Sequence, residues 1–223
     1  MSPAGGLASG GVSAAPLPAA LPVSRWRAGP RRLARLLVGL WAFGAGEGLL
    51  VVAGLGVSPW TVLAEGVSAQ TALGVGAATI AISFVVLALW IPLRQPPGLG
   101  TVLNAVVIGL GIAAVLALFP PPGAPALRWA LMAGGIALVA LGSGLYLTCR
   151  LGPGPRDGLM TGLHRRTGRS VRLVRAGIEV SVLVVGFVLG GTVGVGTVAF
   201  ALLIGPGVQA SLALLGDGRT DDL

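Results

Sequence analysis

The sequence predicts an all-α transmembrane protein, with six spanning helices arranged as two inverted three-helix repeats, each carrying an additional short interfacial or re-entrant helix. Three observations carry this expectation. The 223-residue chain is 54% hydrophobic and only 10% charged. It contains six apolar runs of about twenty residues, the length a helix needs to cross a hydrocarbon core. It also matches itself at an offset of 96 residues.

A soluble domain carries roughly 25% charged residues, so a chain this poor in charge must turn most of its surface to lipid. Its mean hydropathy is +0.91. The formal net charge of +8 comes entirely from Arg, because the sequence has no Lys. Nucleic-acid binding needs a basic face with stacking aromatics; here the Arg residues sit at the ends of apolar runs, where they act as topology signals. No nucleic-acid partner is expected. One Cys (Cys149) and one His (His164) leave no internal disulfide and no multi-Cys or His-rich metal site. No Ser/His/Asp set, phosphate loop or haem ligand pair can be assembled. The chain is therefore expected to be no enzyme and to need no cofactor or metal.

Residues 1–30 are rich in Gly, Ala, Ser and Pro and lack an early basic segment before a weakly apolar stretch. They read as a disordered cytoplasmic arm, not a signal peptide. The first repeat, 31–119, places spans at 33–53, 73–93 and 99–119. The second, 127–215, places them at 128–149, 171–190 and 194–215, and residues 216–223 form a cytoplasmic tail. These runs are rich in Gly and β-branched residues, which membrane helices tolerate because backbone groups must bond internally in lipid and small residues allow close packing. Two shorter stretches, 59–70 and 155–167, reach only about 18 Å at 1.5 Å per residue, too short to cross. Each opens on a proline, Pro59 or Pro155, suited to a first helical turn, and Ser58 is placed to cap the first.

The self-match runs without a gap from Arg32–Ile112 onto Arg128–Val208, with about 25 identities in about 80 positions, the kind of fixed-period similarity that marks a repeat. It includes Gly56/Gly152, Pro59/Pro155, Leu63/Leu159, Gly66/Gly162 and Thr71/Thr167. Three spans per repeat is an odd number, so the second copy should be inverted. Arg placement agrees. With the N-terminus inside, thirteen Arg residues fall on the cytoplasmic side and only Arg128 on the other, a strong positive-inside bias. Both termini are thus expected in the cytoplasm, with the chain in the bacterial inner membrane.

Three stretches, Leu55 to Leu63 (LGVSPWTVL), Trp90 to Asn104 (WIPLRQPPGLGTVLN) and Leu151 to Leu159 (LGPGPRDGL), resemble the YczE/YyaS/YitT family of bacterial membrane proteins, over nearly the whole chain after residue 30. The resemblance implies a polytopic membrane protein, often described as a permease, without a defined activity. Family members commonly have Asp after Pro-Trp where this chain has Thr61, so an acidic role there would rest on Asp157, its counterpart 96 residues on.

Glu47 and Glu179 lie inside apolar spans. A charged side chain at the centre of a membrane helix costs about 2.5–3.5 kcal/mol on insertion scales, so a carboxylate at depth normally faces a partner or a wet cavity. A proton or cation site is one reading of each. For Glu179 an ion pair with Arg175, one turn earlier, is the plainer one. Asp157, third in its short helix, either caps free N–H groups or, with Thr61, lines a cavity between two interrupted helices, as in inverted-repeat transporters. Asn104 reads as an interhelical hydrogen-bonding residue that also stands on a pathway, and His164 as solvated. Trp60 suits the headgroup belt, and Arg165 and Arg166 suit anionic lipid. The expected function is a small-solute or ion permease; the alternative is a non-transporting scaffold or regulator working through the Arg-rich inner face.

Overall fold

The structure, a computed structural model, describes residues 25–216. The expected tail beyond Gly216 and the first twenty-four residues of the expected arm lie outside the described residues. The remainder of that arm is ordered: the Arg25 carbonyl accepts a 2.9 Å hydrogen bond from the Leu99 N–H, and Pro30 already starts the first helix.

The described chain is all-helical, in the order α1 (Pro30–Ala53), α2 (Pro59–Gln70), α3 (Val75–Ala88), α4 (Trp90–Leu93), α5 (Leu99–Leu118), α6 (Pro125–Thr148), α7 (Pro155–Thr167), α8 (Val171–Val188) and α9 (Val195–Leu215). Proline starts α1, α2, α6 and α7, where its missing N–H costs nothing and its fixed φ suits the first turn. Another proline explains the one predicted span that is broken. Pro92 cannot donate to the carbonyl four residues back, at Ala88, and α3 ends at that residue before α4 resumes.

Five segments are long and apolar enough to cross a membrane: α1, Val75–Leu93, α5, α6 and α9. The chain is a multi-pass membrane protein. The sixth expected span corresponds to α8, whose eighteen residues carry Arg172, Arg175 and Glu179 in its first half. The outer helices carry exposed apolar surface: Phe84 and Val85 of α3, Val184, Phe187 and Val188 of α8, and Leu202, Leu203 and Leu214 of α9, as lipid-facing helices of a membrane protein do.

The centre of the fold is the α1–α6 crossing. A Cβ on Gly39 would meet Leu145, Tyr146 and Gly142, and one on Gly46 would meet Gly135 and Val139, all within 3.0 Å. As α1 advances from 39 to 46 its contacts on α6 retreat from 142 to 135, so the helices are antiparallel, and glycine lets their backbones touch. Gly39 and Gly135 are 96 residues apart, as are Gly46 and Gly142. Other contacts recur at the same offset. Arg32 Nε donates to the Cys149 carbonyl and Arg128 Nε to the Ala53 carbonyl, each at 2.7 Å. The Gly100 N–H donates to Leu151 and the Gly196 N–H to Leu55, at 2.9 and 2.7 Å. Gly56 and Gly152 have φ of +105° and +113°, and each lies against the start of the other half's last helix, Gly194 or Gly98. A side chain at either position would be strained and would clash.

Each short helix packs on the other half of the chain. Helix α2 lies on α8, with Gly66 against Gly186, and α7 on α3 and α4, with Gly158 against the Trp90 ring. The outer end of α2 is tied to the turn after α8: the Thr192 N–H donates to Glu65 at 2.7 Å and Gln70 Nε2 to the Leu189 carbonyl at 3.0 Å.

Candidate functional site

Glu47 stands six residues before the end of α1, about 9 Å in along the helix axis at 1.5 Å per residue. Its side chain is fully buried. The Ser58 and Thr61 hydroxyls donate to the same carboxylate oxygen, Oε2, at 2.9 and 2.8 Å, with the hydroxyls 3.1 Å apart. The other oxygen, Oε1, is buried with no hydrogen-bond partner. These bonds draw the start of α2 inward, away from the end of α1. Ser58 occupies the expected N-cap position but makes no capping bond; a carboxylate within reach is a stronger acceptor for its only proton than the helix N–H groups are for its oxygen.

The start of α7 lies opposite. The Arg156 guanidinium stacks over the Trp60 indole, 5.0 Å from its centroid. Tyr146 of α6 donates its hydroxyl proton to Asp157 at 2.9 Å. Asp157 is thereby drawn to α6 and does not cap its own helix, whose N-cap Gly154 has no side chain to offer. The Pro155 carbonyl accepts from the Trp90 indole N–H at 3.0 Å, which anchors this end.

Between these helix starts lies a cavity of about 500 Å³. Its polar wall includes Ser58, Asn104, Ser143, Tyr146, Arg156, Asp157, Arg175, Glu179 and Gln209, and its apolar wall includes Phe43, Ile108, Val139 and Phe200. Of the expected pathway residues, Asn104, Asp157 and Glu179 reach the cavity together with Ser58 and Pro59. Thr61 and Glu47 do not line it; they sit fully buried behind the wall, bonded to each other. Asn104 makes no side-chain hydrogen bond among the described residues and rests beside Gly154. Glu179 is paired with Arg175 at 2.9 Å, as its spacing predicts. His164 touches the Arg169 carbonyl at the surface, far from this chemistry.

Tyr146 carries no signal in the sequence that points to the site, and Arg156 and Trp60 are site residues whose expected places lay elsewhere. Arg156 was counted among inner-loop topology charges and Trp60 in the headgroup belt. The signal that could have found them is their register: 60 and 156 are 96 apart. Burial pushes the Arg156 guanidinium below its ordinary value, while Glu47 and then Asp157 push it back up, and a guanidinium stays charged in proteins. A larger, apolar groove of about 880 Å³ between α3 and α8 shares Trp60 with the cavity, with Arg169 as its charged edge. It has the character of a lipid-facing surface, not of a polar site.

Residues 30–212 match a family of unknown function, DUF6198. The chain belongs to that family. Among relatives of this DUF6198 protein, an uncharacterised protein of Haemophilus influenzae is 44% identical over 192 residues, covering 86% of this chain and 88% of the relative. The uncharacterised membrane protein YczE of Bacillus subtilis is 32% identical over 159 residues, 71% of this chain and 74% of its own. YyaS of the same organism is 28% identical over 174 residues, 75% of this chain and 86% of its own. The resemblance read from the three motifs thus holds. No solved structure matches this DUF6198 chain.

Proposed function

We propose that this protein is a permease for a small solute or ion in the bacterial cytoplasmic membrane, built from two inverted three-helix repeats with α8 as the sixth span. Both termini are then cytoplasmic, and anionic lipid is held near Arg165 and Arg166. The observation that carries the reading is the polar cavity where the starts of α2 and α7 converge inside an apolar bundle. Interrupted helices whose N-termini meet at a central site are how inverted-repeat transporters bind solutes in lipid. The antiparallel α1–α6 crossing and the contacts that recur at the 96-residue offset support the inversion.

Because α1 and α6 touch backbone to backbone at Gly39–Gly142 and Gly46–Gly135, this pair is the fixed axis. Alternating access would come from the outer limbs, α2 with α8 and α7 with α3 and α4. The same close crossing favours the second reading, a rigid scaffold or regulator without transport. No enzymatic activity is proposed.

A flux screen on the purified protein in proteoliposomes, over amino acids, organic acids, phosphate and monovalent cations, separates the two. A permease shows saturable uptake of one solute class that Asp157→Asn lowers at least tenfold. If nothing is taken up above empty vesicles by a protein that remains folded, the scaffold reading replaces it.

A further inference from the structure

The cavity wall holds a cation with no partner group bonded to it. Arg156 donates no hydrogen bond and forms no ion pair among the described residues; its contact is the Trp60 ring. The helix starts beside it are open as well. With proline at the first position, the first-turn backbone donors on the cavity wall are the N–H groups of Trp60 in α2 and of Arg156 and Asp157 in α7, and neither helix has a side-chain cap. Trp60, a wall residue more than nine-tenths buried, has an indole N–H without an acceptor. Unmet donors and one guanidinium converging in a low-dielectric cavity are the chemistry that holds an oxyanion.

The charges nearby set a condition on such a ligand. Glu47 and Asp157 both act on Arg156, while Arg175 and Glu179 cancel one another. The formal balance is one negative charge in excess, offset by two helix ends worth about half a positive charge each. An added anion would leave the site with an uncompensated charge, unless a proton enters with it. Glu47 is the group placed to take that proton. Its Oε1 is buried and unpartnered while Oε2 already accepts from Ser58 and Thr61. The charged or titratable side chains facing it are Arg156 from α7 and Glu65 from α2. Helix α5 has no charged residue, and the Arg128 of α6 is engaged at the far end of α1, on the Ala53 and Gly54 carbonyls.

We infer that the cavity binds a small anion, through a carboxylate or phosphate group, together with a proton: Arg156 and the first-turn N–H groups of α2 and α7 hold the anionic group, and Glu47 takes the proton. In the empty site Arg156 balances ionised Glu47. When the anion claims the guanidinium, Glu47 becomes a neutral acid. This deepens the permease reading by naming a substrate class and a coupling ion, and it rests on that reading only for transport, not for binding.

The test is equilibrium binding to the full-length protein in detergent, with acetate and inorganic phosphate as probes, methylammonium as the cationic control, and a pH indicator in weakly buffered solution. The wild type should bind acetate or phosphate and not methylammonium, take up a proton on binding, and bind more weakly by up to about tenfold per pH unit as pH rises. Arg156→Gln should weaken anion binding at least tenfold. Glu47→Gln, which mimics the neutral acid, should keep anion binding, lose the proton uptake and bind independently of pH. Arg156→Lys retains the charge and guards against misfolding of the Gln variant; it should bind more tightly than Arg156→Gln. Methylammonium binding as tight as acetate, anion binding unchanged in Arg156→Gln, or proton uptake that survives Glu47→Gln overturns the inference. Repeating the titration in phosphatidylcholine and in phosphatidylglycerol nanodiscs tells the source of the anion: acetate binding suppressed only by phosphatidylglycerol assigns the site to a lipid headgroup, and binding equal in both assigns it to a free solute. Anion binding without flux in proteoliposomes sinks the permease reading and leaves this site standing; flux without anion binding does the reverse.

Discussion

The Arg156 guanidinium rests 5.0 Å from the centroid of the Trp60 indole, and these two residues stand 96 apart in the chain, the offset at which the sequence matches itself. When two similar units are related by a twofold axis, a position meets its own counterpart only beside that axis. The contact therefore locates the line about which the proposed repeats would exchange, and it does so at the mouths of both short helices. An aromatic residue at one of these two positions and a cation at the other make a stacked pair where identical residues would only have packed or repelled.

Trp60→Leu removes the ring under Arg156 and should cost about 0.5–2 kcal/mol, the range of a partly desolvated cation–π contact, besides the loss of packing. Trp60→Phe keeps a ring and should lose less. Thermal unfolding in detergent reads the order, and phenylglyoxal labelling of Arg156 should be faster in Trp60→Leu than in the wild type. Equal labelling rates would mean the indole does not cover the guanidinium.

The α1–α6 crossing is testable through its glycines. A Cβ at Gly46 would lie 2.7 Å from the Gly135 carbonyl oxygen, while one at Gly134 would meet nothing within 4 Å. Gly46→Val should thus push the helices apart at a cost of about 1–3 kcal/mol or more. Gly134→Ala should be neutral or slightly stabilising, because alanine is the better helix former by up to about 1 kcal/mol. A Gly46→Val protein with unchanged unfolding temperature would contradict the close approach.

Hydropathy and self-similarity made most of the fold legible. The expected span and short-helix boundaries agree with the helices within a few residues, because length and apolarity are local properties. The exceptions are places where a longer-range partner wins. Ser58 was expected to cap α2, yet its hydroxyl turns to Glu47, eleven residues back. Asp157 was expected to cap α7 or reach a cavity; it does the second, held by Tyr146. Thr61 was expected on the cavity wall and lies behind it, its hydroxyl turned to the same Glu47 oxygen that takes the Ser58 hydroxyl. Arg156 was read as a topology charge because a loop arginine next to a membrane normally is one; only the fold shows it turned inward over Trp60. In α8, Arg172, Arg175 and Glu179 set it apart from the five apolar segments that are long enough to cross a membrane.

Arg32 and Arg128 are a matched pair that the topology count treats as opposites, one inside and one outside. In the fold both do the same thing, closing the C-terminal carbonyls of the antiparallel central partner, where a cation also suits the negative end of the helix. Arg128→Gln should lower stability by about 1.5 kcal/mol, the low end for a charge-assisted hydrogen bond because the site is partly solvated. Arg32→Gln should cost a similar amount. The double variant should be close to additive, since the two side chains sit at different ends of the crossing and share no partner. Chemical-denaturant or thermal unfolding of the four proteins checks this, and a strongly non-additive double variant would show the two ends to be coupled.

The inversion itself turns on Thr71 and Thr167. They are 96 residues apart and make the same local bonds. Thr71 donates to the Val67 carbonyl and accepts from the Leu73 N–H, while Thr167 donates to the Leu163 carbonyl and accepts from the Arg169 N–H. Both are exposed at the ends of their short helices, so a cysteine at either position should react with a water-soluble reagent without disturbing the core. If the repeats are inverted, these equivalent ends face opposite sides of the membrane, and the thirteen-to-one arrangement of Arg sets the Thr167 end inside. On a Cys149→Ser background, which removes the buried native thiol, Thr71→Cys should be blocked by a membrane-impermeant maleimide added to intact cells. Thr167→Cys should react only after the cells are opened. Labelling of both from the same side would rule out two inverted units and with them alternating access about the α1–α6 axis, while the membrane fold and the Arg156–Trp60 contact would be untouched.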